Sequence, residues 1–455
     1  MRVLKGLGWF VGVILIVLVL AFAWGRLRGP SERQARALAL FDQDMAPTKG
    51  RNAFPAIWLS DYDVPPDQVD AVYEQNRPHV QKLMAEYPSR PSIPLDPMAG
   101  LEAKYPKLPV LTSDEKELSC RTRDEDCLAK VRTHREEISA LLTRQSTRLK
   151  HDIAFVEDDY EWNDLTPTIF LALPPYGSTQ NLWLTSAALD FVDGRTSQAL
   201  SGVCTNVLTM RKLHVHNNTL VGTMIAAARL EGAASLFAHM LSELPFDQPL
   251  PNSCIQAFAV PNISDVDLSA SMQWELHFSD AAYKEASMEK KTAADWFAQL
   301  AFSKIGAERL QAAQFAWMCS DEVNRKILSD RPFTVKDFPA QADVFDWVSN
   351  APGSILLFIA QPAYFNYLNR QEDAAATLRV VATILWLRQT HGNGKTLSDR
   401  LQQRPAWMHM AEDRDLHLSK DDRSLHMGYH GTGKTGITDG QNSIVGAIDV
   451  PIVGN

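Results

Sequence analysis

Apolar residues are distributed along this chain in two regimes. From Leu7 to Gly25 they are nearly continuous, and no charged residue interrupts them. A helix of about 20 such residues spans roughly 30 Å of hydrocarbon, so residues 7–25 read as a membrane-crossing segment. No polar face is present, which argues against a helix lying on a soluble core. Two fates fit the segment. Arg2 and Lys5 followed by the apolar run make a signal-anchor, whereas Ala21-Phe22-Ala23 is a small-x-small cleavage site. The apolar run is longer than a usual signal core and continues through Trp24, which favours the uncleaved anchor.

After Arg26 the pattern changes to amphipathic periodicity. Ser31 caps a short helix over 31–44, and Pro65-Pro66-Asp67 opens another that reaches about Tyr87, with a kink expected at Pro78. Residues 88–114 are rich in proline and read as an extended segment. Leu128, Val131, Ile138, Leu141 and Leu142 predict one long helix from Glu125 to Val156. It ends in the acidic run 157–164, which lacks the calcium-loop pattern and reads as a solvated turn.

The clearest helices follow. One has Leu182, Leu189 and Val192 on a face and stops at Asp193-Gly194. The next carries Leu200, Val203, Val207 and Met210. The third runs from about Thr219 to Leu244. Short connections predict helical hairpins, although no 34-residue repeat signature recurs. Further helices are expected over 264–289, 292–327, 340–349, 354–369 and 371–390. The run Ile355 to Ala360 is too short to span a bilayer and reads as the centre of the core, with Pro362 kinking or breaking its helix. Near the C-terminus, alternation around the polar turn 420–422 predicts a β-hairpin.

The expected fold is therefore mainly α: an N-terminal transmembrane helix, then an α-helical hairpin array (an irregular bundle or solenoid-like), with a small β-hairpin near the C-terminus. The expected divisions are 1–29 for the signal-anchor, 30–115 for a helical and Pro-rich membrane-proximal region, 116–390 for the main α-helical domain, and 391–455 for a Gly-rich C-terminal region.

Charge and cysteine content place the body. A net charge of −9 argues against nucleic acid. Arg26, Arg28, Arg33 and Arg36 after the apolar run count towards a cytoplasmic body, whereas the basic head before it is the usual export signal. Cys120 and Cys127 enclose a short polar segment and are candidates for a disulfide, which favours export. Cys204 and Cys319 lie in apolar helical surroundings and read as core residues. Cys254, in a loop-like stretch, is a conceivable partner for Cys204. The body is expected in the periplasm of a bacterial inner membrane; release after signal cleavage is the alternative.

Chemical signals are sparse. Gly428 to Thr435 satisfies the phosphate-loop pattern G-x4-G-K-[ST], but no helix follows Lys434-Thr435 and few residues remain for an acidic partner. It reads as a glycine-rich loop, with no nucleotide. His409, His417, His426 and His430 share one region, and His417 and His426 would lie on one face of the hairpin, with Asp415 as a third donor. Glu275, in Gln-Trp-Glu-Leu-His-Phe, is a carboxylate that an apolar site would perturb. Neither a serine elbow nor a zinc-protease motif is present. No cofactor and no catalytic or metal-ligating set is assigned. The leading expectation is non-catalytic binding of another envelope or secreted protein, in a scaffold, inhibitor or immunity-like role. The alternatives are an envelope hydrolase using Glu275 or the C-terminal histidines, and a periplasmic protein binding a small ligand or lipid.

Overall fold

A computed structural model describes residues 2–47, 49–86, 98–121, 126–168, 174, 176, 180–286, 300–333, 337–338, 342–391, 394–411, 414, 416–420, 424–428, 430 and 447–451. It is mainly helical. Helix α1 (Arg2–Leu27) contains the apolar run, and its most hydrophobic window is 0% buried. Ser31 then caps α2 (Glu32–Phe41) through a reciprocal box: its Oγ accepts from the Gln34 amide, and Gln34 accepts from the Ser31 amide. Helix α3 (Phe54–Trp58) and α4 (Val69–Glu86) pack together, and Pro78 lies inside α4 without ending it. Helix α5 (Ser113–Leu118) starts at a second capping box, formed by Thr112 and Glu115.

The long helix expected from Glu125 to Val156 is three helices in succession: α6 (Cys127–Thr133), α7 (Arg135–Arg144) and α8 (Ser146–Ala154). Single residues, His134 and Gln145, separate them. Hydrogen bonds of helical spacing bridge both joints, from Ile138 N to His134 O at 2.9 Å and from Leu149 N to Gln145 O at 2.9 Å. Such joints leave the apolar periodicity almost intact, which is why the pattern reads as one element.

Three longer helices follow: α9 (Gln180–Val192), α10 (Thr196–Val215) and α11 (Leu220–Ser242). Gly194, at φ +81°, supplies the left-handed residue that turns α9 into α10. Helix α10 packs along both neighbours. Helix α11 is apolar and long enough to cross a bilayer, but 78% of its apolar window is buried, as in a core helix. The short α12 (Asn252–Ala257) carries Cys254. Next come α13 (Ser269–Ala286), α14 (Lys304–Met318) and α15 (Asp321–Leu328). Where one helix was expected to run on to 327, Ser320 starts a new one by accepting from the Val323 amide.

Helix α16 (Val344–Ser349) precedes α17 (Ala351–Gln389), the longest element. Pro362 lies within α17, so of the expected kink or break the break does not occur, and the helices expected over 354–369 and 371–390 are one element. The missing N–H of Pro362 is one hydrogen bond lost in a helix whose C-terminal half is buried in two cores. Leu378, Val381, Ile384 and Leu387 enter the largest core with α6–α11, and Leu368 and Ala375 enter a second with α2, α13, α14 and α15. A third core forms around α3 and α4. Helix α18 (Leu397–Gln402) is followed by a small antiparallel sheet of β1 (His417–Leu418), β2 (Ser424–Gly428) and β3 (Ala447–Pro451), in that order. Leu425 and Met427 alternate into the first core.

Two expectations are overturned by burial. The acidic run is not a solvated turn. Glu157 and Asp159 face solvent, but Asp158 and Glu161 are buried, and Glu161 forms a parallel bridge with Asn217. The apolar run from Ile355 is not the centre of a core. Ile355, Leu356, Phe358 and Ile359 are 46–68% exposed.

Candidate functional site

Three segments distant in sequence enclose an open groove of about 430 Å³: the end of α2 with the residues after it, segment 162–167, and the start of α13. Gln273 holds α13 to the α2 end by donating from Nε2 to the carbonyl oxygens of Phe41 at 2.8 Å and Gln43 at 2.5 Å. Segment 162–167 is held by Asn52 and Asn218. The Asn52 amide donates to Trp162 O at 2.8 Å, and Asn218 Oδ1 accepts from Asn163 N at 2.7 Å. Trp162 and Trp274 line the groove; Trp162 is half-buried, whereas Trp274 is buried and stacked on Phe278 at 5.8 Å between centroids. Asp42 and Asp44 supply exposed negative charge on the rim. The third carboxylate, Asp164, already accepts from Arg77 Nη1 at 2.6 Å and from the Tyr73 hydroxyl.

Glu275 is not part of this groove. It follows Trp274 by one residue, about 100° further round the helix. It faces Tyr364 of α17, and burial alone pushes its carboxyl up to about 7, with no hydrogen bond or charge among the described residues offsetting it. Tyr364 in turn lies near Tyr283 and Gln311, which are bonded to one another, Tyr283 Oη to Gln311 Oε1 at 2.9 Å.

Cys120 and Cys127 are joined in a disulfide, with Cα atoms 5.4 Å apart. Cys204, read as a core thiol, is bonded to Cys254 with Cα atoms 4.8 Å apart, because α10 and α12 pack side by side. Cys319 is a free thiol, and burial raises its pKa.

His417 and His426 lie directly opposite each other in the β1–β2 register, with ring centroids 4.9 Å apart. Asp449 of β3 occupies the next register position beyond His426. The other two C-terminal histidines lie elsewhere. His409 Nε2 is 3.2 Å from Arg404 O, and His430 Nδ1 is 3.9 Å from Glu372 Oε2. Among the described residues no three His, Cys, Asp or Glu side chains come together in a metal-holding group. Asp415 and residues 431–435 of the phosphate-loop match lie outside the described residues.

Two buried ionic clusters escaped the sequence reading. In one, Arg414 lies 2.9 Å from Asp373 Oδ1 and 3.4 Å from Asp330 Oδ1, and Arg379 lies 3.8 Å from the same Asp330 oxygen. Glu372 makes a third buried carboxyl there, pushed up to about 9 by burial, with Arg414 opposing the shift. Two guanidinium groups thus face three buried carboxyls, and burial favours the protonated form of Glu372. In the other, Tyr176 donates to Glu161 Oε1 at 2.6 Å, and Arg229 donates to Tyr176 O at 2.6 Å. Burial raises Asp152 and Glu161, and Arg229 counteracts both shifts. Neither cluster lines the groove; each ties segments of the core together. Chain order hid them, since Arg414 and Asp330 are far apart in sequence, as are Arg229 and Glu161.

Among the described residues the groove is lined by Trp162 and Trp274, by the carboxylates Asp42, Asp44 and Asp164, and by His277 of α13. No protein-family model, curated protein or solved structure matches this chain.

Proposed function

We propose that this chain is a membrane-anchored protein of a bacterial envelope. Its helical body, arranged as hairpins, lies in the periplasm and binds another protein without catalysis, as a scaffold, inhibitor or immunity-like partner. The groove between α2 and α13 carries this reading. Aromatic surface beside Asp42 and Asp44 suits a segment that presents an apolar side chain flanked by Lys or Arg. Two disulfides support an oxidising compartment.

Retention of α1 as an anchor is supported by how its end is built into the body. Gly25 meets α16 so closely that a Cβ there would fall 2.7 Å from Ser349 Cβ. Arg28 pairs with Asp343 and Asp346, both at 2.5 Å. Ala21-Phe22-Ala23 lies inside the same unbroken helix, and a peptidase needs extended chain.

The test is crosslinking in intact cells followed by purification of the full-length protein, in wild type and in Asp44→Lys and Trp162→Ala variants. The expected result is one stoichiometric protein partner that both variants lose. Retention of no protein by the wild type, or equal retention by all three, would overturn the reading.

A further inference from the structure

The N-terminal half of α17 packs one face on the second core, through Tyr364 and Phe365, and turns an uncharged face outward. Ile355, Leu356, Phe358 and Ile359 are exposed, as are Pro362 and Ala363, and at helical spacing these positions form one continuous apolar stripe along the helix. Val344 and Trp347 of α16 add to the surface at 66% and 43% exposure. From Trp347 to Asn369 the sequence contains no charged residue. A helix turned to water carries charges on its outer face, and a contiguous apolar surface of this kind marks an interaction site.

The position of α1 identifies the occupant. The anchor ends on α16, through Gly25 against Ser349 and Phe345 and through Arg28 on Asp343 and Asp346. Arg26 Nη1 also donates to Phe302 O at 2.9 Å, and Arg309 Nη1 donates to Arg28 O at 3.0 Å. Two more exposed apolar residues, Leu300 and Ile305, flank the Phe302 contact. Only Asn350 separates α16 from α17. Ile359 is eight residues beyond Ala351, so the exposed run extends about 12 Å along the helix from the anchor's point of attachment. Apolar surface that continues directly from a bilayer-crossing helix lies at the level of the headgroups and upper acyl chains.

We infer that the first turns of α17, with Val344 and Trp347 of α16 beside them, insert into the bilayer leaflet in which α1 ends, as a second, non-spanning attachment to the membrane, while Asp343 and Asp346 stay paired with Arg28 at the headgroup level. This rests on the reading of α1 as a retained anchor. Trp347 suits the interface, where amphipathic rings collect, and the uncharged helix buries to a depth of about 5–10 Å, as interfacial helices do. One helix alone would leave the body free to swivel. Two attachments fix which way the groove faces relative to the membrane.

The test uses the full chain with Cys319→Ser, reconstituted in vesicles of phosphatidylethanolamine and phosphatidylglycerol. Single substitutions Phe358→Cys, Ile359→Cys, Leu15→Cys and Val110→Cys each carry an environment-sensitive fluorophore, and the quencher is a nitroxide on the lipid acyl chain. All four sites are exposed, so each accepts a label without disturbing the core. The expected result is that labels at 358, 359 and 15 lose about half their emission or more to the lipid quencher, as apolar groups within the acyl boundary would, while the label at 110 does not. Quenching at 15 without quenching at 358 and 359 would overturn the insertion and leave the anchor standing. Blue-shifted emission at 358 that the lipid quencher does not reach would mean that a second copy or a partner protein covers the surface, which also overturns it. No quenching at 15 would remove the anchor, and the insertion with it.

Discussion

Replacing Glu275 by glutamine is expected to stabilise the folded body above neutral pH and to leave it unchanged in acid. The folded-state pKa of Glu275 is pushed up to about 7 by burial, against an ordinary value of 4.5. Its contribution to stability is therefore fully present below 4.5, falls as pH rises through 4.5 to 7, and is absent above that window. A shift of this size corresponds to about 3 kcal/mol at most. Part of the Glu275 surface remains in contact with water, so a gain of about 1.5–3 kcal/mol at pH 8 is the working expectation. The assay is urea unfolding of wild type and Glu275→Gln in a neutral detergent, followed by tryptophan fluorescence at pH 5, 6, 7 and 8. Taking the difference between the two proteins at each pH cancels groups that titrate alike in both. A gap that opens from pH 5 to 7 and levels off by pH 8 fits the argument. A gap that stays constant would refute it, because a neutral amide and a protonated carboxyl would then differ by packing alone.

The two disulfides should differ in weight. Chain-entropy arithmetic gives about 4 kcal/mol for Cys204–Cys254, which closes a separation of 50 residues, and about 2.5 kcal/mol for Cys120–Cys127, which closes 7; urea midpoints of the two double-serine variants should fall in that order. Gly222→Ala should cost about 1–3 kcal/mol, because a Cβ there would lie 2.6 Å from Glu161 Oε1 and 2.7 Å from Asn217 Oδ1. Gly202→Ala, whose Cβ would meet only Ala187 at 3.9 Å, should be neutral or gain up to about 1 kcal/mol, and circular-dichroism melts compare the pair. Arg414→Leu leaves Asp330 and Asp373 facing a single guanidinium, and a loss of about 3–5 kcal/mol by urea unfolding is expected.

Local signals in the sequence reached the elements whose causes are local. The Ser31 cap, the Gly194 turn and the Thr219 start of α11 each depend on a few adjacent residues, and each is found where those residues occur. A period of two on either side of a short turn places His417 and His426 on one face of a hairpin, whereas their direct pairing depends on a register that the period does not fix. Features that depend on distant segments were not legible. Asp158 and Glu161 have the composition of a solvated turn. They are buried because residues 51–53 and 216–218 pair with their backbone, as in the bonds from Ala53 N to Tyr160 O at 2.8 Å and from Glu161 N to His216 O at 2.9 Å. The groove brings Trp162 and Trp274 together from separate segments, which no spacing within one element announces.

The run from Ile355 to Ala360 illustrates a deeper limit. Hydrophobic periodicity detects residues that avoid water; it does not identify what replaces the water. Protein core and lipid chain are both apolar surroundings, so a run of Ile, Leu and Phe has the same signature in either. The distinguishing mark is the reach of the uncharged stretch beyond the apolar run. A core helix of a soluble body presents an outer face and places charges there within a turn or two. Helix α17 does so only from Arg370 onward, where its inner face is packed. Before Arg370, uncharged residues occupy every side of the helix as far back as Trp347, and this segment adjoins the end of α1, which is itself uncharged from Gly6 to Gly25. The two uncharged stretches, more than 300 residues apart in sequence, meet at Gly25 and Ser349. That meeting makes a shared bilayer a more economical account of both than a core for one and a membrane for the other.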